Sequence, residues 1–340
     1  MHFSDSFLYA FRVSLEEWFG LHGRKLPWRG ISDPYRIWVS EIILQQTQVK
    51  QGWDYYLRFI DAFPDVSSLA GADESRLLRV WQGLGYYSRA LNMKVAANQI
   101  LDRFGGRFPD NAADISSLKG IGPYTTSAIG SIAYGLPLAV LDGNVYRVLS
   151  RLLLDMTPID TTGGKKHFAE LASLLLDPDN PSLYNQAIMD LGAMVCTPAR
   201  PKCEDCPIRT LCKSAGTEYS LLLPLKSRKL KVKEETMHFY LLQRGTQFAI
   251  EKRDRSGIWK GLYQLPILSD VPVGWSEKGA IRLKDHRLTH RLLHIEIHLC
   301  LPDSVECVSS LPYLFIEVSD HSSYPFPKPL RQFLDTHFPV

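Results

Sequence analysis

The chain has 340 residues, of which 45% are hydrophobic and 22% are charged. This is the composition of a globular protein of about two domains, and it excludes a disordered tail or a miniprotein held by disulfides. The formal net charge of +3 is too small to attract a polyanion over the whole surface, so any affinity for nucleic acid must come from local sites. The longest nearly apolar stretch, 131–141, is about half of the roughly 20 residues that a membrane helix needs. The first residues lack the basic start and apolar run of a signal peptide, and we expect a cytoplasmic protein.

The first two hundred residues have the apolar spacing of helices, and glycine and proline residues separate the segments. Helices are predicted around 7–19, 39–44, 69–84, 91–104 and 188–195. Beyond Cys212 the pattern changes. The basic stretch 226–233 indicates a solvated linker that could also touch phosphates, and 238–242 and 294–299 look like strands. We predict a mainly α region over 1–213, a linker over 214–235 and an α+β domain over 236–340.

Four of the six cysteines lie within 17 residues, in the pattern C-x6-C-x2-C-x5-C: Cys196, Cys203, Cys206 and Cys212. Four thiolates at short spacing can bind one soft metal centre, and such a cluster in the cytosol is more often a metal site than a set of disulfides. Zinc usually takes two C-x2-C pairs, and only Cys203 and Cys206 form one here. The spacing of 196–212 therefore favours a [4Fe–4S] cluster, with zinc as the alternative.

A Gly-x-Gly turn, Gly120 to Gly122, lies between two predicted helices. Glycine lets the backbone turn tightly, and the N–H groups of the turn and of the next helix form an anion site. Many such turns merely connect helices. With the preceding Leu118 and the small residues of 125–133, this one is typical of a helix-hairpin-helix, which binds the DNA backbone without reading its sequence. We predict that Gly120, Gly122 and Thr125 contact DNA phosphates.

Two carboxylates lie in apolar segments. Asp142 follows an apolar run and precedes Gly143, so it is either a buried carboxylate or the N-cap of the next helix. Glu41 lies among 38–44; it is either buried with a raised pKa or an ordinary residue on a helix surface. The uncharged side chains of 45–48 that follow could hydrogen-bond to the edges of bases.

In this order the segments resemble the A/G-specific adenine DNA glycosylases, the MutY type within the helix-hairpin-helix superfamily. The resemblance is dense over 1–213 and weaker beyond it. It rests on the segments 26–29 (LPWR), 40–41, 44–48, 83–87 (GLGYY), 118–125 and 141–145 and on the four cysteines. It implies two helical lobes that hold a flipped base. It also implies double-stranded DNA with A·8-oxoguanine or A·G mispairs as the partner, a role in base excision repair, and a monomer.

The resemblance implies that Glu41 is the general acid and Asp142 the catalytic carboxylate. Adenine leaves once a ring nitrogen is protonated, and the oxocarbenium-like sugar then needs an anion, so one carboxyl must start protonated and the other ionised. Tyr124 matches a position that hydrogen-bonds near the aspartate, and Asn144 would order the aspartate or a water. Bifunctional relatives have a lysine in place of Tyr124 that forms a Schiff base. The tyrosine therefore implies a monofunctional enzyme with little strand cleavage.

The resemblance also implies two groups of base contacts. The adenine pocket would consist of Leu26, Trp28, Arg29 and Gln186. Leu26 and Trp28 are alternatively core residues. The residues that wedge into the duplex around 8-oxoguanine would be Gln46, Thr47, Leu84 and Tyr86. The alternative for Tyr86 is a core aromatic pair with Tyr87.

The segment 256–266 resembles the S-G-L-W-x-G-L-Y-x-F-P segment in the Nudix-like C-terminal domain of the family. No glutamate-rich metal box follows it, so nucleotide hydrolysis is not expected. In relatives a Phe-Ser-His loop of this domain checks the 8-oxoguanine, and the matching residues here are Leu288, Thr289 and His290. Since the phenylalanine is replaced, these are either a reading loop with altered discrimination or simple hairpin residues.

The sequence thus predicts a hydrolase of N-glycosyl bonds that removes adenine opposite 8-oxoguanine or guanine and is associated with the nucleoid. One alternative is a related enzyme that removes thymine from T·G mispairs. The other is a non-catalytic iron–sulfur protein that binds DNA or transfers electrons. Such a protein would need neither Glu41 nor Asp142.

Overall fold

The computed structural model describes residues 3–227, 232–254, 257–304 and 311–339. The chain forms two compact units, one of residues 1–70 with 95–229 and the other of 71–94 with 230–340. The first is helical and the second contains a mixed sheet, which confirms the predicted fold class. The boundaries predicted at 213 and 235 stay a prediction. Arg228 to Lys231 of the basic stretch, Ser256 of the Nudix-like segment and Cys307 lie outside the described residues.

The helices follow one another along most of the first two hundred residues. In chain order they are α1 (Asp5–His22), α2 (Pro34–Leu44), α3 (Val49–Ala62), α4 (Val66–Ala70), α5 (Glu74–Val80), α6 (Ser88–Phe104), α7 (Ala112–Ser117), α8 (Pro123–Tyr134), α9 (Gly143–Leu153), α10 (Thr162–Leu175), α11 (Pro181–Met194), α12 (Tyr219–Leu222) and α13 (Lys328–His337). No helix in the described part of the chain has both the length and the apolar character that a bilayer crossing requires.

The segment 69–84, predicted as one helix, is divided in the structure. Helix α4 ends at Ala70, and α5 begins after Asp73, whose carboxylate accepts the N–H of Arg76 as an N-cap. After α5 the chain turns through Gly83 and Gly85, both at positive φ. The prediction of a continuous helix is wrong. The spacing of apolar residues does not reveal where a new N-cap or a left-handed turn interrupts a helix.

Helices α1, α8, α9, α10 and α11 share the main core of the first unit. Its large buried side chains include Phe11, Leu149, Phe168 and Tyr184. Shortening one of them, for example Leu149→Ala, would lower the free energy of unfolding by about 2–5 kcal/mol. Helix α2 packs on α8 and α3, and α11 packs on α1, α8 and α9. This packing places residues of α2, α8, α9 and α11 around one cavity.

The second unit is organised around a sheet with the order β3-β2-β1-β6-β4; in addition, β5 pairs with β6 and β7 with β2. The strands are β1 (Lys233–Arg244), β2 (Gln247–Lys252), β3 (Tyr263–Gln264), β4 (Trp275–Arg282), β5 (His286–Arg287), β6 (Arg291–Pro302) and β7 (Leu314–Glu317). Strands β1 and β6 are parallel, and the other pairs are antiparallel. The strands predicted at 238–242 and 294–299 are confirmed as parts of β1 and β6.

The two faces of this sheet are covered differently. On one face Phe239, Ile295 and Ile297 pack with Phe326 and Leu330, the latter from α13, in the main core of the unit. The other face carries a smaller cluster that includes Tyr240, Leu242, Trp275 and Cys300. Since neighbouring residues of a strand point to opposite faces, β1 and β6 contribute alternate residues to each.

Candidate active site

A cavity of about 790 Å³ lies in the first unit, bordered by residues of α2, α8, α9 and α11. Its volume lies within the range of small-molecule sites, roughly 300–1,000 Å³. All four predicted catalytic residues line it, namely Glu41, Tyr124, Asp142 and Asn144. The lining also includes six residues predicted to contact bases: Leu26, Trp28, Arg29, Gln186, Gln46 and Thr47. Folding therefore brings together residues that are up to 160 positions apart in the chain.

Glu41 lies near the end of α2 with only 8% of its surface exposed. The interpretation of this residue as part of a helix surface is therefore wrong. The Tyr124 hydroxyl donates a hydrogen bond of 2.6 Å to Glu41 Oε2. Burial raises the pKa of Glu41, while the bond from Tyr124 and the positive charge of Arg29 oppose the rise. Glu41 is thus a buried carboxyl in which the second oxygen can carry a proton.

Asp142 is the N-cap of α9 and is also mostly buried, so both interpretations made from the sequence describe it. Its Oδ1 accepts the N–H groups of Asn144 at 2.9 Å and Val145 at 2.8 Å, and its Oδ2 accepts Asn144 Nδ2 at 2.8 Å. Burial raises the pKa of Asp142, and these bonds and Arg147 oppose the rise. Three N–H donors stabilise the ionised form here, against one hydroxyl at Glu41. Asp142 is thereby the carboxyl better suited to carry a negative charge.

Tyr124, in the first turn of α8, was expected to hydrogen-bond near Asp142. In the structure its hydroxyl donates to Glu41 and lies 3.4 Å from Met189 Sδ. Burial raises the pKa of Tyr124 well above its ordinary value, and both carboxylates add to the rise. The phenol is therefore neutral and acts as a donor toward Glu41.

Asp190 of α11 is a residue that the sequence analysis missed. It is fully buried, and its Oδ1 accepts hydrogen bonds from Arg24 Nε and Arg29 Nη2, both at 3.0 Å. Arg29 Nη1 in turn donates to Gln186 Oε1 at 2.5 Å. Asp190 therefore orients the arginine that orients Gln186. In the sequence, the one sign of this role is that Asp190 is the single carboxylate in the apolar segment 188–195.

Trp28 is buried and packs edge-to-face on Tyr56 at 5.1 Å between ring centroids, yet it also lines the cavity. The core and pocket interpretations of this residue are therefore compatible. Gln46 lies two residues beyond the end of α2 and is exposed, with a φ of 59°. That backbone conformation is strained for any residue other than glycine, and such strain concentrates at functional positions.

The Gly-x-Gly turn lies directly before α8. Gly120 has a φ of 81°, and Gly122 is the N-cap of the helix. A side chain at Gly122 would be unstrained by the backbone and would meet open space, so nothing inside the protein requires glycine there. Thr125 has a buried side chain, which leaves its backbone N–H as the group that could reach an anion.

The four cysteines Cys196, Cys203, Cys206 and Cys212 line one small pocket behind the end of α11. Two arginines of α9 support this loop: Arg147 Nε donates to the carbonyl of Cys196 at 2.6 Å, and Arg151 Nη1 lies 3.4 Å from Cys196 Sγ. All four residues are described, and no three of their sulfurs lie within 4.8 Å of one another. A single tetrahedral zinc would hold the sulfurs about 3.8 Å apart.

The remaining predicted base contacts lie in the second unit. The Tyr86 hydroxyl is hydrogen-bonded to Thr289 Oγ1. Thr289 and His290 form the turn between β5 and β6. The N–H of Leu288 closes this turn by donating a hydrogen bond of 2.8 Å to the carbonyl of Arg291. A cavity of about 310 Å³ adjoins this turn, lined by Leu84, Tyr86, Trp259, His286, Thr289 and His290, among others.

Tyr86 is 46% exposed and has a φ of 48°, whereas Tyr87 is buried. The interpretation of the two as a core pair is therefore wrong for Tyr86. Thr289 and His290 lie in a hairpin, which was one of the two interpretations made from the sequence. Thr289 also contacts Tyr86.

Known proteins resemble the chain over both units. Residues 39–172 match the HhH-GPD superfamily of base excision DNA repair proteins, and residues 237–336 match the NUDIX domain. The adenine DNA glycosylase of Buchnera aphidicola subsp. Baizongia pistaciae is 34% identical over 300 residues, which cover 86% of this chain and 84% of that protein. The adenine DNA glycosylase of Mus musculus is 41% identical over 214 residues, or 60% of this chain and 42% of that protein. The structure of a thermostable thymine-DNA glycosylase matches 62% of this chain and 97% of that one, with a TM-score of 0.56 and 27% identity.

The helical unit with its hairpin before α8 is that of an HhH-GPD DNA repair enzyme, joined here to a NUDIX-type domain. Within this superfamily, the identity and coverage of its relatives show that the chain belongs to the adenine DNA glycosylase family.

Proposed function

We propose that this chain hydrolyses the N-glycosyl bond of adenine that is mispaired with 8-oxoguanine or guanine in double-stranded DNA. The observation that carries the proposal is a pair of carboxyls on the wall of one cavity, the buried Glu41 and the partly buried Asp142. Their environments differ, since one accepts a hydroxyl and the other accepts three N–H groups. Carboxyls that are separated in this way supply an acid and an anion at the same pH.

In the proposed reaction the adenine, still attached to its sugar, flips out of the duplex into the cavity. Glu41 then donates its proton to N7 of the ring. The bond between C1′ and N9 then breaks, and its electron pair passes to the purine. Asp142 stabilises the positive charge that develops on the sugar. Water adds to C1′ and gives its proton to one of the two carboxylates, leaving an abasic site. Asn144 holds Asp142 in place through its side-chain amide.

The chain would leave the DNA strand intact. Strand cleavage in the superfamily needs an amine that attacks C1′, and Tyr124 has none. Its hydroxyl is instead committed to Glu41. Borohydride should therefore trap no substantial covalent adduct with DNA.

The adenine would lie between Leu26 and Trp28, with Arg29 and Gln186 offering polar contacts. The hydrogen bonds that Arg29 donates to Asp190 and to Gln186 support this role, because they fix the side chains of Arg29 and Gln186 before the base arrives. Preorganised groups lose less conformational entropy on binding.

Recognition of the opposite base would involve Gln46, Thr47, Leu84 and Tyr86, together with Thr289 and His290. The strained backbone at Gln46 and Tyr86 supports their role as wedges, since each side chain is held exposed at an unusual φ. Such wedges offset the few kcal/mol that unstacking a base costs. The bond between Tyr86 and Thr289 would hold the wedge and the turn of the reading loop as one surface.

The backbone N–H groups around Gly120, Gly122 and Thr125 would bind a DNA phosphate. They lie at the start of α8, where the first N–H groups of a helix have no acceptor within it and the helix dipole favours an anion. The open space at Gly122 supports the proposal, because a phosphodiester could approach the backbone there and a side chain would obstruct it.

The cysteine pocket would bind a [4Fe–4S] cluster through Cys196, Cys203, Cys206 and Cys212. The sulfurs are spaced too widely for one zinc ion, which fits a centre of several metal ions better. Arg151, which lies beside Cys196, would stabilise the negative charge of the thiolates. When bound, the cluster would fix the fold of 196–212, and we assign it no step in base removal.

The test is single-turnover incubation of the chain with duplexes that contain A·8-oxoguanine, A·G or T·G, followed by detection of the free base and of alkali-sensitive strands. We expect adenine from the first two duplexes and no thymine from the third. Asp142→Asn and Glu41→Gln should abolish release but keep mispair binding, whereas Glu170→Gln, on the exposed side of α10, should behave as wild type. Thymine release would favour the T·G alternative, and tight binding without release of any base would favour the non-catalytic one.

A further inference from the structure

Two histidines and a glutamate lie together on the sheet face of the second unit that does not face α13. His238 is on β1, and Glu296 and His298 are on β6. In the parallel register His238 pairs with Glu296, and Tyr240 pairs with His298. Cross-strand partners share a face, as do residues two apart on one strand, so all three side chains project on the same side. The proposed base excision uses none of them.

The potential ligand atoms of these side chains converge on one point. His238 Nδ1 lies 3.1 Å from His298 Nε2 and 3.5 Å from Glu296 Oε2, and all three atoms lie within 4.8 Å of one another. A tetrahedral zinc ion with ligands at 2.0–2.1 Å would hold two ligand atoms about 3.3–3.4 Å apart. The two separations that involve His238 lie on either side of that value and the third is within 4.8 Å, so the side chains could close on one ion by small rotations. Among the described residues, this is the one such group of three or more His, Cys, Asp and Glu side chains.

A second carboxylate fixes the ring of His298 for this purpose. His298 Nδ1 lies 2.9 Å from Glu277 Oε1, and a carboxylate there favours the tautomer with the proton on Nδ1, which directs the lone pair of Nε2 toward His238. Histidines that bind metals usually have such a partner, which sets the tautomer and raises the basicity of the ring. The ring of His298 is also stacked on Tyr240, with centroids 4.7 Å apart.

Glu277 reaches this position because β4 contains an irregularity. The register between β4 and β6 shifts between Glu277 and Gly279, and Glu277 is thereby paired with Cys300, on the same face as His298. In an unbroken register the residue on that face next to Ala280 would be Lys278, whose cation would repel a metal ion. The bulge replaces a positive charge with a carboxylate beside the histidine.

We propose that His238, Glu296 and His298 bind one zinc ion, with Glu277 as the partner of His298. Two imidazoles and one carboxylate are a set that zinc takes, whereas magnesium and calcium prefer oxygen ligands only. The set leaves a fourth position for water. Because the ligands come from β1 and β6, and Glu277 comes from β4, the ion would stabilise the pairing of three strands.

The test is titration of the full-length, untagged chain with Zn²⁺ and with Co²⁺ under anaerobic conditions, using His238→Gln, His298→Gln and Glu277→Gln. The matched control is His294→Gln, since His294 lies on the same face of β6 but is hydrogen-bonded to Asp285. Any cobalt taken up by the cysteines would be common to all variants and would give thiolate-to-cobalt charge-transfer bands, whereas the proposed site gives cobalt bands without them. Melting without metal shows that each variant is folded.

We expect the wild type and His294→Gln to bind one more equivalent of metal than His238→Gln or His298→Gln. Glu277→Gln should keep the site with an affinity lowered about 10–100-fold. Zinc should raise the melting temperature of the second unit in the wild type and not in His298→Gln. Equal stoichiometry in all variants, or the same loss in His294→Gln, would overturn the proposal.

Discussion

Removing the Tyr124 hydroxyl should move the pH dependence of base release to higher pH. In the proposed reaction Glu41 acts as an acid, so release should fall as the pH rises through its pKa. The bond from Tyr124 lowers the pKa of Glu41, and Tyr124→Phe removes it, so the pKa rises and the alkaline limb of the profile moves to higher pH. A hydrogen bond to the carboxylate is worth about 1.5–3 kcal/mol and one to the neutral acid about 0.5–1.5 kcal/mol. The difference, about 1–1.5 kcal/mol, corresponds to a shift of about one pH unit.

The assay is single-turnover adenine release from an A·8-oxoguanine duplex, with enzyme in excess, measured across the pH range so that product release does not limit the rate. Tyr134→Phe is the control, because Tyr134 lies on the same helix and donates to the carbonyl of Phe108 at 3.0 Å. Its profile should match the wild type. An alkaline limb that stays in place in Tyr124→Phe, or moves to lower pH, would refute the assignment of Glu41 as the acid.

Three further predictions concern stability and discrimination. Asp190→Asn leaves the partly buried Arg29 without its carboxylate and should destabilise the first unit by about 3–5 kcal/mol, measured by chemical denaturation. Burial and Asp177 raise the pKa of Glu16 to about 7 from 4.5, so the native state binds this proton more tightly than the unfolded chain. Stability should therefore fall as the pH rises from about 4.5 to 7, and Glu16→Gln should flatten that fall in thermal melts. Thr289→Val removes the partner of Tyr86 and should lower the preference for A·8-oxoguanine over A·G about fivefold, for a bond of about 1 kcal/mol, in competition assays.

Each of these predictions has an outcome that contradicts it. Asp179→Asn, at an exposed site, should unfold as the wild type does, and an Asp190→Asn chain of the same stability would show that the arginines are compensated elsewhere. Glu17→Gln, next to Glu16 and exposed, should keep the wild-type pH dependence, and a Glu16→Gln chain that also keeps it would locate the proton at another group. Tyr86→Phe should lower the preference as much as Thr289→Val does. If the double variant added the two losses, the hydroxyls would act independently.

Much of the candidate site was predictable from the sequence because its signals are local. The spacing of the four cysteines, the glycines before α8 and the tyrosine at 124 are each set by a few consecutive residues. The N-cap at Asp142 is equally local, since a helix N-terminus needs an acceptor within two or three residues. The change from helical to alternating apolar periods also indicated a second fold class toward the C-terminus, and the mixed sheet confirms that fold class.

Tertiary structure decided what each of these groups touches. Glu41 looked like a surface residue of α2 until the packing of α2 on α8 buried it and brought Tyr124, 83 positions away, within hydrogen-bond distance. Asp190 orients Arg29 across 161 positions, and His238 meets His298 across 60, through a parallel pairing that no short segment encodes. The physical reason is that burial and pairing depend on which surfaces pack together. A pKa or a metal site is set by those neighbours, whereas periodicity and spacing along the chain report the local conformation.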